Sequence, residues 1–188
     1  MNVHEHQRSA HQPAGARPPA SNWAAVATLA PAAIRQARPE DAAAIHSLIA
    51  AHAQPGRLLP RTRDEIEAHV RRFLVAASGD EVVGCAELAP LGADLGEVRS
   101  LVVSEEARGA GIGRSLAEGV IEAAARASFR RLCAFTHAPA FFVRLGFSLV
   151  PHLQLPEKIA IDCADCPLFR ACGQYAVLLT LPRAGAGR

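Results

Sequence analysis

What the 188-residue chain lacks narrows its class before any motif is read. It has no excess of one charge: 20 Lys and Arg stand against 18 Asp and Glu, a formal net charge of +2. Nucleic-acid and membrane-surface proteins usually carry a dense basic patch, so this balance argues against both. It has no apolar run near the roughly 20 residues that a membrane span requires. Cysteine is scarce, and three of the five sit together near the C-terminus, unlike a secreted disulfide framework. The expected compartment is therefore the cytoplasm. With 50% hydrophobic residues, the chain can build one domain with a full core.

The two ends differ from the middle. Residues 1–32 begin "MNVHEHQRSAHQPAGARPPASN", show no hydrophobic period, and are expected to form a disordered tail. The following "WAAVATLAPAA" lacks the basic flank and the bulky residues of a signal-peptide core. Residues 183–188, "RAGAGR", read as a loose C-terminal tail, which leaves a domain over 33–182.

Within that domain, strand and helix periods alternate. "IRQA" reads as a short strand, and Pro39 with Glu40 and Asp41 reads as the first turn of a helix. Thr62 to Glu65, "TRDE", is a capping box opening a helix with Ile66, His69, Val70 and Phe73 on its inner side. His46, His52 and His69 have apolar neighbours at helical spacing and read as partly buried helix residues. "FLVAASGDEVVGCAELAP" is a hairpin around Ser-Gly-Asp, and "GEVRSLVV" is the next strand. A helix follows with Ile112, Leu116, Val120, Ile121 and Ala124 on one face, then a strand at "RRLCAFT", a short helix at "APAFFVRLGF" and a strand at "YAVLLTL". This order predicts a three-layer α/β/α fold around a central mixed sheet.

The stretch most informative about chemistry is "ARGAGIGR". A strand running into a glycine-rich turn and then a helix presents backbone N–H groups at a positive helix terminus, which suits an anion. Glycine at 109, 111 and 113 lets the backbone approach a pyrophosphate closely, and Arg108 and Arg114 add charge-assisted hydrogen bonds. The same pattern would also serve a tight loop that needs glycine only for its backbone angles. A dinucleotide fold would place its glycines after the first strand, and a phosphate loop would need Gly-Lys-Ser/Thr, which is absent.

Arg108, Gly111 and Gly113 spell the Arg/Gln-x-x-Gly-x-Gly/Ala motif of the GNAT acyltransferases, which residues 33–182 resemble; "FFVRLGF" is similar to the family's Phe-Tyr-x-x-x-Gly-Phe helix end. The resemblance implies acetyl-CoA as co-substrate, with no metal expected. Its pyrophosphate would lie on Arg108, Gly109, Ala110, Gly111, Ile112, Gly113 and Arg114, and its pantetheine arm against Leu101, Val102 and Val103. "GRLLPRTRDE", "GEVRSLVV" and "LPEKI" further resemble the acetyltransferase domain of bacterial N-acetylglutamate synthases in a short, stand-alone form. That resemblance implies transfer of acetyl to the α-amine of glutamate or glutamine, the first step of arginine synthesis. Arg61 matches those enzymes' loop arginine and would hold a substrate carboxylate, with Arg57 and Arg99 as further candidates. Glu97 matches the carboxylate that GNAT enzymes often use to take the amine proton, Glu87 is the fallback, and the Leu101 N–H would meet the oxyanion. Both carboxylates could instead be ordinary strand residues. Where many relatives have a tyrosine acid, this chain has Phe142; its single tyrosine is Tyr175.

"DCADCPLFRAC" gathers Cys163, Cys166 and Cys172. It reads either as a metal half-site completed by His152, Asp162 or another chain, or as a hairpin-like insertion with small buried thiols. Cys85 and Cys133 read as core. The expected partner is an amino acid rather than nucleic acid or membrane, with a homodimer left open. Two rival readings remain: acetylation of another small amine or a protein N-terminus, and a non-catalytic metal- or redox-sensing module.

Overall fold

The computed structural model describes residues 32–53 and 58–182. The expected tails through residue 31 and over 183–188, and the candidate Arg57, lie outside the described residues. Seven strands form one sheet: β1 (Ala33–Gln36), β2 (Phe73–Ser78), β3 (Glu81–Pro90), β4 (Leu95–Val103), β5 (Arg131–Thr136), β6 (Ser148–Val150) and β7 (Tyr175–Thr180). Their order is β1-β2-β3-β4-β5-β7-β6, with β4 and β5 the parallel pair in an otherwise antiparallel sheet.

The period-two pattern of β2 divides the core between the two faces. Phe73 and Val75 point toward α1 (Ala42–His52) and α2 (Arg63–His69), where they meet Ile45, Ile49 and Ile66. Leu74 and Ala76 point the other way, toward Leu116, Val120 and Ala124 of α3 (Ile112–Arg126) and Phe142 of α4 (Pro139–Val143). The three-layer α/β/α arrangement with a central mixed sheet is therefore present. Gly79 turns the β2–β3 hairpin at φ 59°, a conformation that favours glycine.

The helix signals hold with small shifts. Thr62 and Glu65 cap α2 reciprocally: the Glu65 N–H donates to the Thr62 hydroxyl at 3.2 Å, and the Thr62 N–H donates to Glu65 at 2.7 Å. Pro39 opens a 3₁₀ turn over Pro39–Asp41, and α1 itself begins at Ala42. α2 stops at His69, so Phe73 opens β2 instead of closing the helix. Two elements were not anticipated. β6 pairs outside β7 as an edge strand, and α5 (Pro156–Lys158) runs straight into a π turn over Ile159–Cys163.

The junction of β4 and β5 creates the opening that matters. Only Leu95, Gly96 and Glu97 pair with Arg131, Leu132 and Cys133. At Ser100 the φ is 48°, and the β3–β4 register slips between Cys85 and Glu87. An extra residue of this kind bends a strand and increases its twist. β4 therefore leaves β5 after Glu97, and the two strands fork.

Candidate active site

The fork is the floor of a cleft of about 390 Å³. One side of it is the glycine turn. Gly109 and Gly111 have φ of 85° and 80°, so L side chains there would be strained, and no protein atom crowds the space a Cβ would enter at either. Gly113 has Val103 at an ordinary 3.6 Å from such a Cβ, so protein packing does not demand glycine there. Gly111 caps α3, whose first N–H groups, at Ile112, Gly113 and Arg114 after Ala110, have no intrahelical acceptors. Arg108 donates from Nε to the Val103 carbonyl at 3.3 Å and pairs with Glu105 at 3.4 Å. Arg114 pairs with Glu118 at 2.8 Å. Both pairs are exposed and weak, so an incoming anion can replace them.

The open edge of β4 continues from this turn. Ser104 donates its N–H to Val83 on the β3 side at 2.9 Å. Strand alternation then directs Val102 to β3 as well, and Leu101 and Val103 to the edge that β5 leaves uncovered.

The other side of the cleft is charged. Glu97 is 2% exposed, and Lys158 reaches both of its oxygens, at 2.7 and 2.9 Å. Arg99 donates to Glu97 and to Asp162, and Lys158 also donates to Asp162 at 2.8 Å. The four groups form a closed ring of alternating charge, each cation bridging both carboxylates. Burial works against the charge of Arg99, but Glu97 and Asp162 hold its pKa above the ordinary value. Burial alone would raise Asp162; the hydrogen bond and charge of Lys158, with Arg99 behind it, hold it below the usual carboxylate range. Lys158 also lies over the Phe135 ring, 5.3 Å from its centroid.

Arg61 reaches the same cleft from the loop before α2, and it forms no ion pair among the described residues. Glu87 stands opposite Arg99 in the β3–β4 ladder, in a separate recess of about 100 Å³ that Arg61 and Arg99 also line. Burial pushes the Glu87 carboxyl up, with Arg99, Arg61, Arg72 and His69 opposing in part.

The structure thus brings Arg61, Glu97, Arg99, Leu101 and Gly113 to one cleft, and puts Arg108 at the turn beyond it. Phe142 lines the same cleft, whereas Tyr175 is a 53% exposed residue of β7. The sequence reading missed Lys158. Two signals were available: it is the chain's only lysine, and it stands four residues before Asp162, the spacing of facing side chains on a helix.

The cysteines need a correction. Among the described residues no three His, Cys, Asp or Glu side chains are gathered as an ion would require, so Cys163, Cys166 and Cys172 do not form the metal half-site. Nor are they buried thiols of a hairpin: Cys163 and Cys166 are half-buried and Cys172 is exposed, in a segment of short turns. All three line a second chamber of about 460 Å³, which shares Leu59, Phe135 and Lys158 with the cleft. Cys85 and Cys133 are core, as expected, and burial pushes the Cys85 thiol up to about 12 and Cys133 up as well.

A fork beside a glycine-capped helix is where known relatives become informative. Residues 32–147 match the model of the Acetyltransferase (GNAT) family. The chain belongs to that family. An uncharacterized N-acetyltransferase of Chlorobaculum tepidum is 36% identical over 148 residues, 79% of this GNAT chain and 96% of that protein. An amino-acid acetyltransferase of Neisseria meningitidis is 34% identical over 126 residues, 66% of this chain and 29% of that enzyme. Among solved structures, N-acetylglutamate synthase of Neisseria gonorrhoeae, complexed with coenzyme A and N-acetyl-glutamate, superposes with a TM-score of 0.71 at 30% identity. The match covers 81% of this chain and 35% of that one, so this GNAT protein spans about a third of the Neisseria enzymes it resembles.

Proposed function

We propose that the protein transfers the acetyl group of acetyl-CoA to the α-amine of an amino acid, L-glutamate or glutamine, the entry reaction of arginine biosynthesis. The observation that carries this reading is the charge of the cleft. Arg99 and Lys158 are balanced by Glu97 and Asp162, and Arg61 stands beside them in the cleft as a further cation with no ion pair among the described residues. A guanidinium fork suits a carboxylate, so Arg61 is assigned to the acceptor. The amino-acid acetyltransferases among the relatives are consistent with it.

In this reading the pyrophosphate of acetyl-CoA rests on the α3 N-terminus, with Arg108 and Arg114 turning from Glu105 and Glu118 to its oxygens. The acceptor nitrogen attacks the thioester carbonyl carbon, the new oxyanion is met by the Leu101 N–H, and the C–S bond breaks to release the CoA thiolate. A thiol pKa near 8.5 makes that thiolate a fair leaving group, so the absence of a hydroxyl at Phe142 is tolerable. The amine proton passes through water to Glu97. Lys158 and Arg99 both donate hydrogen bonds to that carboxylate. It takes the proton as the C–N bond forms, from an amine of which only a small fraction is already neutral at pH 7.

The test is release of free CoA with glutamate, glutamine, other amino acids and polyamines as acceptors, repeated with Arg61→Ala. Glutamate or glutamine should be preferred, and the variant should raise the acceptor KM about 10- to 100-fold, the loss of a charged hydrogen bond. The acetyl-CoA KM should move little. Acetylation of amines that lack a carboxylate as readily as glutamate would overturn the reading. The 460 Å³ chamber next to the cleft favours one second reading, a larger acceptor such as a protein N-terminus, and short peptides in the same panel examine it.

A further inference from the structure

The charged ring contains one carboxylate more than a catalytic base requires. Glu97 lies on the central strand β4 with its side chain 3% exposed and both oxygens on Lys158. Asp162 completes the same ring from the opposite wall. Its side chain is 20% exposed and faces the second chamber, and a single oxygen, Oδ2, accepts from both Arg99 and Lys158. A carboxylate bridging a guanidinium and an ammonium in a cleft is chemically what an amino-acid acceptor would offer.

We propose that Asp162 is an internal carboxylate that competes with the acceptor's carboxylate for Arg99 and Lys158, so that acceptor binding exchanges one for the other. This rests on the reading of the acceptor as an amino acid. Three observations support Asp162, and not Glu97, as the exchangeable member. First, Asp162 is the more accessible of the two. Second, it stands in the π turn Ile159–Cys163, closed by the Ala164 N–H on the Ile159 carbonyl at 2.9 Å; such turns recur at functional sites. Third, residues 164–174 beyond it form short local turns, closed by the Cys166, Phe169 and Ala171 N–H groups on the Cys163, Cys166 and Leu168 carbonyls, so this wall can move without unzipping a strand.

The exchange is inexpensive because one carboxylate replaces another. Removing an anion from a buried cation pair would leave charge uncompensated, whereas substitution keeps Arg99 and Lys158 satisfied throughout. With glutamate, Arg61 takes the second carboxylate: it meets the incoming molecule first, and the ring opens second. Any internal competitor lowers apparent affinity in proportion to the fraction of molecules in which it holds the site. Asp162 therefore sets the acceptor concentration at which the enzyme works.

Asp162→Asn tests this directly. The KM for the amino acid should fall about 10-fold, with the acetyl-CoA KM unchanged, and Asp162→Glu should restore the wild-type value. A folded Asn variant whose acceptor KM is unchanged or raised would show that Asp162 only props Arg99, and would overturn the proposal. A second measurement needs no change in the ring. With Cys166→Ser and Cys172→Ser, the Cys163 thiol beside Asp162 becomes a reporter, since it is half-buried. Saturating amino acid should speed its labelling by a thiol-specific disulfide reagent severalfold, as Asp162 swings out. Unchanged or slowed labelling would overturn the exchange. If no amino acid is acetylated at all, the parent reading fails; if one is acetylated while both results are negative, only the exchange fails.

Discussion

The glycine turn and the charged ring face each other across one cleft, yet they are assembled differently. The turn comes from one continuous stretch, with Arg108, Gly109 and Gly111 placing backbone N–H groups at the start of α3. The ring joins β4 to a turn 61 to 63 residues further along the chain, through Glu97–Lys158 and Arg99–Asp162. The turn uses main-chain groups and weak exposed arginine pairs; the ring uses buried and half-buried side chains that satisfy one another. A site of the first kind tolerates loss of a side chain without unfolding. One of the second kind couples recognition to stability.

That contrast gives three predictions in order of size. The largest effect belongs to the ring. Lys158→Met removes the cation shared by Glu97 and Asp162 and should cost about 3 to 5 kcal/mol of stability, read by urea unfolding, because the buried Glu97 and the half-buried Asp162 then share Arg99 alone. A loss below about 1 kcal/mol would mean that the ring is not a structural unit. Next comes the turn. Arg108→Ala should leave unfolding unchanged and raise the acetyl-CoA KM about 10- to 100-fold, since one charged contact to phosphate contributes about 1.5 to 3 kcal/mol. A stability loss instead of a KM change would erase the distinction between the two halves.

The smallest effect lies just outside the ring, at Glu87. Burial raises its folded pKa above the unfolded value, so its contribution to stability is full below the unfolded pKa and is lost as pH rises through the folded one. Glu87→Gln lacks that loss. Its Tm relative to wild type should therefore climb as pH rises above the ordinary glutamate range, about pH 4, with little change in the acetyl-CoA KM. A Tm difference that stays flat above that range would show Glu87 to be held as an anion by Arg99.

The sequence made the turn legible because all its determinants are local: a strand, three alternating glycines and a helix period. The capping box at Thr62 and the core face of α3 were readable for the same reason. The ring was half readable. Glu97 and Arg99 stood out, but two residues apart on a strand cannot show that a lysine reaches between them. Their partner is fixed by how α5 and its π turn pack, and a π turn has no sequence period. The cysteine spacing misled for the opposite reason: three thiols close in sequence point into one chamber without converging on a common centre.

The three-residue seam between β4 and β5 has a mechanical consequence for the whole sheet. On one side lies the antiparallel meander β1 to β4, and on the other the three-stranded leaf β5-β7-β6. Beyond Glu97 the two leaves are splayed, with no ladder to hold them. Partial opening by native-state hydrogen exchange should follow this seam, since cooperative units separate where pairing is thinnest. An extended ligand seated in the fork would act as a strut across both leaves, so saturation with donor would lock two subdomains together and raise their opening energy in step.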